Sequence, residues 1–327
     1  MSRETCMFIG DVHLTDKVPG SVMLEQDEWI AVQLKRLRLL VDRANELGIP
    51  VLVAGDLFDT PKVLSPYFFS SIVNVLMGVR TPWCVIPGQH DLPYHSMERF
   101  QDCWLHSLGN VLKKIESVTF FEVLDGTAPI CLDHDDIVVF PYPWGVRPVD
   151  GDYDNSYYMA SEDYTTIALS HRGVWKDKAP YPGASEADSL GPLKKEYSKF
   201  DVAVFGDFHH HWVHEERNIS VVNCGCQFPR TKAEAKYPNP KICYLLGDGS
   251  IWIEDLGAPE YEIISNTETV GDDAFQVFVH NLQDDGGDDI AISFEDNIKK
   301  YINEEGTSKP VSDMVLSTMR ECKENSK

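Results

Sequence analysis

Short apolar runs alternate with helical stripes through the first third of the chain. Cys6–Ile9, Val51–Ala54 and Trp83–Ile86 are runs of strand length. Between the first two, Trp29, Ile30, Leu34, Leu37, Leu40, Val41 and Ala44 recur at three- and four-residue spacing. That stripe predicts an amphipathic helix over 25–47, stopped by Gly48 and followed by Pro50 ahead of the next strand. Further helices are expected over 66–77 and 97–108, which makes this part strand-helix three times over. After Lys114 the pattern becomes a series of short β runs: 118–121, 137–140, 165–169, 202–205, 219–222, 242–246 and 251–254. Gly247-Asp248-Gly249 joins the last two as a hairpin. Many strands with outer helices predict an α/β fold of two packed mixed β-sheets flanked by helices. The stretches 146–164 and 173–200 read as long loops or short helices at strand ends, where specificity is built.

From Ala258 onward the composition changes. Residues 258–327 hold 16 Asp/Glu against 6 Lys/Arg. A strand over 275–279 and helices over 293–301 and 311–322 are expected there. The reading is therefore a main domain over 1–257 and a small acidic accessory region over 258–327. No apolar run reaches membrane-spanning length and no secretory leader opens the chain, so a soluble, membrane-free protein is expected. The eight cysteines are scattered and form no Cys-x-x-Cys pair, which points to reduced thiols and the cytoplasm. The formal net charge of -23 repels nucleic acid at long range, leaving a metal centre or a local basic patch to hold any phosphodiester.

The chemistry lies at the strand ends. Asp11 and His13 follow the first run, Asp56 and Asp59 the second, and Gln89, His90 and Asp91 the third. His171 follows 165–169, and Asp207 and His209 follow 202–205. Each motif alone is weak, since Gly-Asp is often a turn and a lone histidine is often a satisfied core residue. Five such ends in one chain are different. In α/β sheets ligands gather at the carboxyl ends of strands, so the set reads as a two-metal hydrolytic centre. Carboxylates, imidazoles and an amide, with no thiolate, suit Mn, Mg or Fe better than zinc.

The pattern resembles the calcineurin-like metallophosphoesterase superfamily, whose signature runs Asp-x-His, Gly-Asp-x-x-Asp, Gly-Asn-His-Asp/Glu, His, Gly-His-x-His. The resemblance covers roughly residues 4–257. It implies that Asp11, His13, Asp56 and His209 hold one divalent ion, and that Asp56, Gln89, His171 and Asp207 hold a second. It further implies that His90 faces the scissile phosphate, with Asp91 orienting its ring. Gln89 stands where the family has Asn, and Asp207 where His is usual. The extra carboxylate pushes the site towards Mn or Mg.

Within the superfamily the chain is most similar to the SbcD-type nucleases of double-strand-break repair, in a compact, phage-like form. Gly55-Asp56-Leu57-Phe58-Asp59-Thr60 carries that likeness, as do Val222–Arg230, the strand Lys241–Leu246 and the accessory region. The resemblance implies a Mn-dependent DNA exo- and endonuclease in the cytoplasm, the host's if phage-encoded. It also implies an SbcC-type coiled-coil ABC ATPase partner, docked through the C-terminal helices, and a homodimer, for which 66–77 and 97–108 are candidate helices. Arg172, Arg230 and Lys232, with Lys176, Lys178 and Lys236, are candidates for a phosphate track, against ordinary solvated charge. Trp144 and Trp175 are candidates for base stacking, against buried packing. A phosphodiesterase or phosphatase acting on small molecules or phosphoproteins is the alternative, favoured by the acidic surface. A non-catalytic scaffold is a second alternative, opposed by the complete ligand set.

Overall fold

The computed structural model describes residues 2–61, 64–116, 118, 121–132, 136–148, 164–180 and 184–263. Two six-stranded sheets pack face to face. The first contains β1 (Glu4–Ile9), β2 (Val51–Val53), β3 (Trp83–Val85), β4 (Phe121–Val123), β11 (Lys241–Leu246) and β12 (Ile251–Asp255), in the order β12-β11-β1-β2-β3-β4. The second contains β5 (Ile130–Leu132), β6 (Ile137–Tyr142), β7 (Thr165–His171), β8 (Val202–Gly206), β9 (Trp212–Glu216) and β10 (Ile219–Asn223), in the order β5-β6-β7-β8-β10-β9. β1 through β4 run parallel, as do β6, β7, β8 and β10, and antiparallel strands close every edge but that of β4.

Side-chain alternation explains the layering. In β1, Cys6 and Phe8 face the second sheet, where they pack with Leu52, Ile167, Val204 and Val222. Met7 and Ile9 face the opposite way, onto the helices. Those helices are α1 (Gln26–Leu47), α2 (Pro66–Leu76) and α3 (Trp104–Leu112). The outer face of the second sheet packs Phe140 and Phe205 against Leu193 and Tyr197 of α4 (Leu190–Glu196) and its C-terminal turn. Each fully buried aromatic of this kind stabilises the fold by roughly 1.5–3 kcal/mol. The expected two-sheet architecture is thus present.

Helix α1 starts in a capping box made by Glu25 and Glu28 and ends at Gly48, whose φ of 67° closes the αL cap. One of its buried positions is Gln33, which broke the apolar stripe. The expected helix over 97–108 is two pieces. Met97–Asp102 is 3-10, Cys103 is extended, and the Cys103 thiol caps α3 by accepting from His106 N at 3.3 Å. The short strands β5 and β9 were not anticipated. Of the run at 118–121, Phe121 begins β4, and residues 119 and 120 lie outside the described residues.

Residues 258–263 pack on the main body. Tyr261 lies against Trp29, its hydroxyl donates to Pro229 O at 2.8 Å, and Ile263 bridges Val22. The rest of the accessory region, with its expected strand and helices, lies outside the described residues, as does most of 146–164. Among the described residues no helix is long and apolar enough to cross a membrane.

Candidate metal centre

The segments after β1 and β2 leave their strands side by side. Asp11 N donates to Gly55 O, His13 N to Asp56 O and Leu14 N to Leu57 O. This parallel run brings Asp11 and His13 against Asp56. Downstream, Gln33 locks the first segment. Its amide accepts from Thr15 N at 2.9 Å and donates to Thr15 O at 2.8 Å. Asp11, His13, Asp56 and Asp207 all have positive φ, between 48° and 82°. Left-handed backbone on non-glycine residues costs on the order of 1–3 kcal/mol each and concentrates at functional sites. Here it falls on four of the seven expected ligands. Gly88 explains a fifth feature, the close approach of the β3 loop. A Cβ at Gly88 would overlap the Asp56 carboxylate and backbone nitrogen.

Five of the seven expected ligands, Asp11, His13, Asp56, His171 and His209, converge. Oxygen or nitrogen atoms of Asp11, His13 and His209 lie within 4.8 Å of one another, as do those of Asp11, Asp56 and His171. His13, Asp56 and His90 form a third such group, so Asp11 is common to the His209 and His171 groups, and Asp56 to the His90 and His171 groups. Asp207 is tied in through its backbone N–H, which donates to both Asp11 oxygens at 2.9 and 3.1 Å. Gln89 donates from Nε2 to Asp207 Oδ1 at 2.9 Å. A carboxylate can only accept, so the Gln89 amide oxygen points elsewhere, as a ligand position requires.

Several buried donor atoms face one another as they would around a cation. Asp56 Oδ2 and His171 Nε2 are buried, face each other at 3.3 Å, and have no hydrogen-bond partner. Nε2 of His13 and Nε2 of His209 face each other at 3.0 Å. His171 Nδ1 donates to Ala54 O at 2.7 Å, which fixes the tautomer with Nε2 directed to Asp56. Burial opposes charge on His171, yet the Asp56 carboxylate prevails and lifts the imidazole to about 10. Burial pushes Asp11 up to about 7. Positive charge is therefore wanted in the centre, and this N/O donor set fits divalent ions.

The outer contacts include Glu234, which no local signal marked, and Asp59, which the Gly-Asp-x-x-Asp motif marked without a role. Glu234 faces His209 Nδ1, and its other oxygen accepts from Arg230 N at 2.7 Å and Thr231 N at 2.8 Å. Asp59 lies 3.4 Å from His13 Nδ1. Each imidazole that meets at Nε2 is thus backed by a carboxylate at Nδ1, the arrangement that orients metal-bound histidines. The chain segments 59 and 230–234 are far apart in sequence, and only the fold joins them.

Three expected roles come out differently. Asp91 does not orient the His90 ring. Its carboxylate accepts backbone N–H groups of Leu57, Phe58 and Gly88 at 3.3, 2.8 and 2.9 Å, clasping two ligand loops together. The His90 ring is held instead through Nδ1, which donates to Asp59 O at 3.0 Å, while its backbone N–H donates to Asp56 Oδ1 at 2.8 Å. Arg230 is spent internally, in an ion pair with Asp59. Arg172 is buried among Asp188 and Glu196, at 2.5 and 2.8 Å, so it does not face a substrate phosphate. Lys232 is exposed on the turn between Arg230 and Glu234. Trp175 is buried, whereas Trp144 sits near His171, with ring centroids 6.1 Å apart.

Residues 5–211 match the family model for calcineurin-like phosphoesterases, and the chain belongs to that family of metal-dependent phosphoester hydrolases. No curated protein matches the chain by sequence. Solved structures of the same fold include an archaeal phosphodiesterase, 11% identical with a TM-score of 0.39, over 77% of this chain and 99% of that one. A putative 5'-nucleotidase from Staphylococcus aureus is 12% identical with a TM-score of 0.42, over 85% of this chain and 58% of that one. Vps29 from Entamoeba histolytica, complexed with zinc, is 16% identical with a TM-score of 0.33, over 77% and 97%.

Proposed function

We propose that the chain is a metal-dependent DNA nuclease, hydrolysing phosphodiester bonds as the nuclease subunit of a repair or recombination complex. Mn is the proposed metal, and an SbcC-type coiled-coil ATPase the proposed partner. The observation that carries this reading is the Asp59–Arg230 ion pair behind His13. It joins Gly55–Thr60 to Val222–Arg230, the two segments that bear the nuclease resemblance, at the metal centre itself.

Asp11, His13, Asp56 and His209 would hold one ion, and Asp56, Gln89, His171 and Asp207 the other. Bound there, divalent ions supply a nucleophile at neutral pH and neutralise charge on phosphoryl oxygens. The protein's own part falls to His90. Its Nδ1 proton is committed to Asp59 O, so the role falls to the imidazolium, whose second proton on Nε2 would bond the phosphoryl group or pass to the leaving oxygen. Buried neighbours exclude water from Asp11, His13, Asp56 and His171, all 2% exposed or less.

A second reading, a phosphodiesterase for small molecules or phosphoproteins, is favoured by the net charge of -23 and by the internal pairing of Arg172 and Arg230. The test is a comparison of kcat/KM on linear DNA, bis(p-nitrophenyl) phosphate and a phosphopeptide, all with Mn. The nuclease reading expects DNA to lead. A phosphopeptide or aryl diester turned over while DNA stays intact overturns it.

A further inference from the structure

With Arg172 and Arg230 committed internally, the acidic body has few cations to grip a DNA backbone beside the centre. Two aromatic platforms stand there instead. We propose that they bind the nucleobases on either side of the scissile phosphate, an inference that rests on DNA being the substrate.

The first platform lines a cavity of about 270 Å³ between the turn 209–211 and residues 237–241. His209, whose Nε2 meets His13 in the metal centre, forms one wall. Tyr237 stacks on His210, with centroids 3.7 Å apart and an interplanar angle of 17°. Tyr237 is 56% exposed, so the stack presents a face to solvent. Deeper in the cavity, His211 Nε2 is buried without a partner. A flat aromatic face beside an unsatisfied ring nitrogen suits a planar heterocycle with hydrogen-bonding edges.

The second platform follows His90. Tyr94 is 85% exposed and has a φ of 57°, and His95 has a φ of 52°. Two consecutive left-handed residues carry strain that some interaction must maintain. Part of that interaction is visible, since His95 Nδ1 donates to Gln89 O at 2.8 Å. It ties the strained turn to an expected metal ligand and leaves the Tyr94 ring in water. The described residues expose four large aromatics, Tyr67, Tyr94, Tyr237 and Trp252; Tyr237 shares its cavity with His209, and Tyr94 directly precedes His95, which bonds Gln89 O. Stacking tolerates any base, as a nuclease without sequence preference requires.

The test uses the full chain with Mn and oligonucleotides carrying one abasic nucleotide at each position around the cleaved bond. Base stacking contributes about 1–3 kcal/mol, so an abasic nucleotide in a platform should raise KM about 5- to 150-fold. Tyr237→Ala should raise KM on intact DNA by a similar factor and make the enzyme indifferent to the abasic nucleotide on one side. Tyr94→Ala should do the same on the other side, and Tyr→Phe at either position should restore the wild-type KM. Unchanged KM in both alanine variants, or an unchanged response to the abasic positions, overturns the proposal while leaving the nuclease reading intact. Hydrolysis of an aryl diester with no cleavage of any DNA overturns both.

Discussion

Replacing Glu234 by Gln should loosen one metal site and spare the other. Glu234 fixes His209 through Nδ1 and also caps the turn at Arg230 and Thr231. Gln has the same reach, but only one acceptor oxygen and two N–H donors. The position faces three donors, so at least one of them must meet an N–H or lose its partner. His209 then loses the contact that sets its tautomer and ring angle. Loss of such an outer partner typically costs about 10–100-fold in metal affinity, equivalent to about 1.4–2.8 kcal/mol. The second subsite has different supports: His171 is anchored on Ala54 O, and Asp207 on Asp11. Its affinity should stay within about threefold of wild type. The assay is an EPR titration of free Mn against the full chain, with a thermal melt to confirm folding. Two isotherms that superimpose on wild type, or an equal loss at both sites in a folded variant, would refute the reasoning.

His90→Ala should leave the Mn isotherm unchanged and reduce kcat about 10²–10⁴-fold, as loss of a positioned proton donor does; wild-type turnover would remove His90 from the chemistry. Gly88→Ala forces a methyl group onto the Asp56 carboxylate, so it should abolish tight binding of both ions, measured by the same titration. Arg172→Ala should lower stability by about 2–3 kcal/mol in urea unfolding without changing KM for DNA. The loss falls below that of a fully buried pair because Asp188 and Glu196 remain 17% and 24% exposed.

Much of the centre is legible in the chain because strand periodicity and ligand type coincide. Asp11, His13, Asp56, His171, Asp207 and His209 each follow an apolar run, and the runs become β1, β2, β7 and β8. The alternation of Cys6 and Phe8 with Met7 and Ile9 foreshadows a strand buried on both faces. What is not legible depends on contacts distant in sequence. Glu234 looks like an ordinary surface acid until the fold sets it behind His209, and the place of Asp59 beside His13 is likewise seen only in the fold. Arg172 and Arg230 look like free cations for the same reason. Asp91 stands next to His90 in sequence, but its carboxylate turns towards the backbone of Leu57 and Phe58. Gln33 breaks an apolar stripe because its partner is the backbone of Thr15, which no periodicity reports. β9 carries the pattern Trp-Val-His-Glu-Glu on a sheet edge, where one side of the strand needs no apolar cover.

The most direct test of the account is cleavage of end-labelled linear duplex DNA by the full chain with Mn, with Mg and with a chelator, beside Asp56→Asn. Asp56 is the carboxylate proposed to serve both ions, so the account predicts Mn-dependent degradation that disappears with the chelator and in the variant. DNA cleavage that persists in Asp56→Asn, or in the chelator, would contradict it.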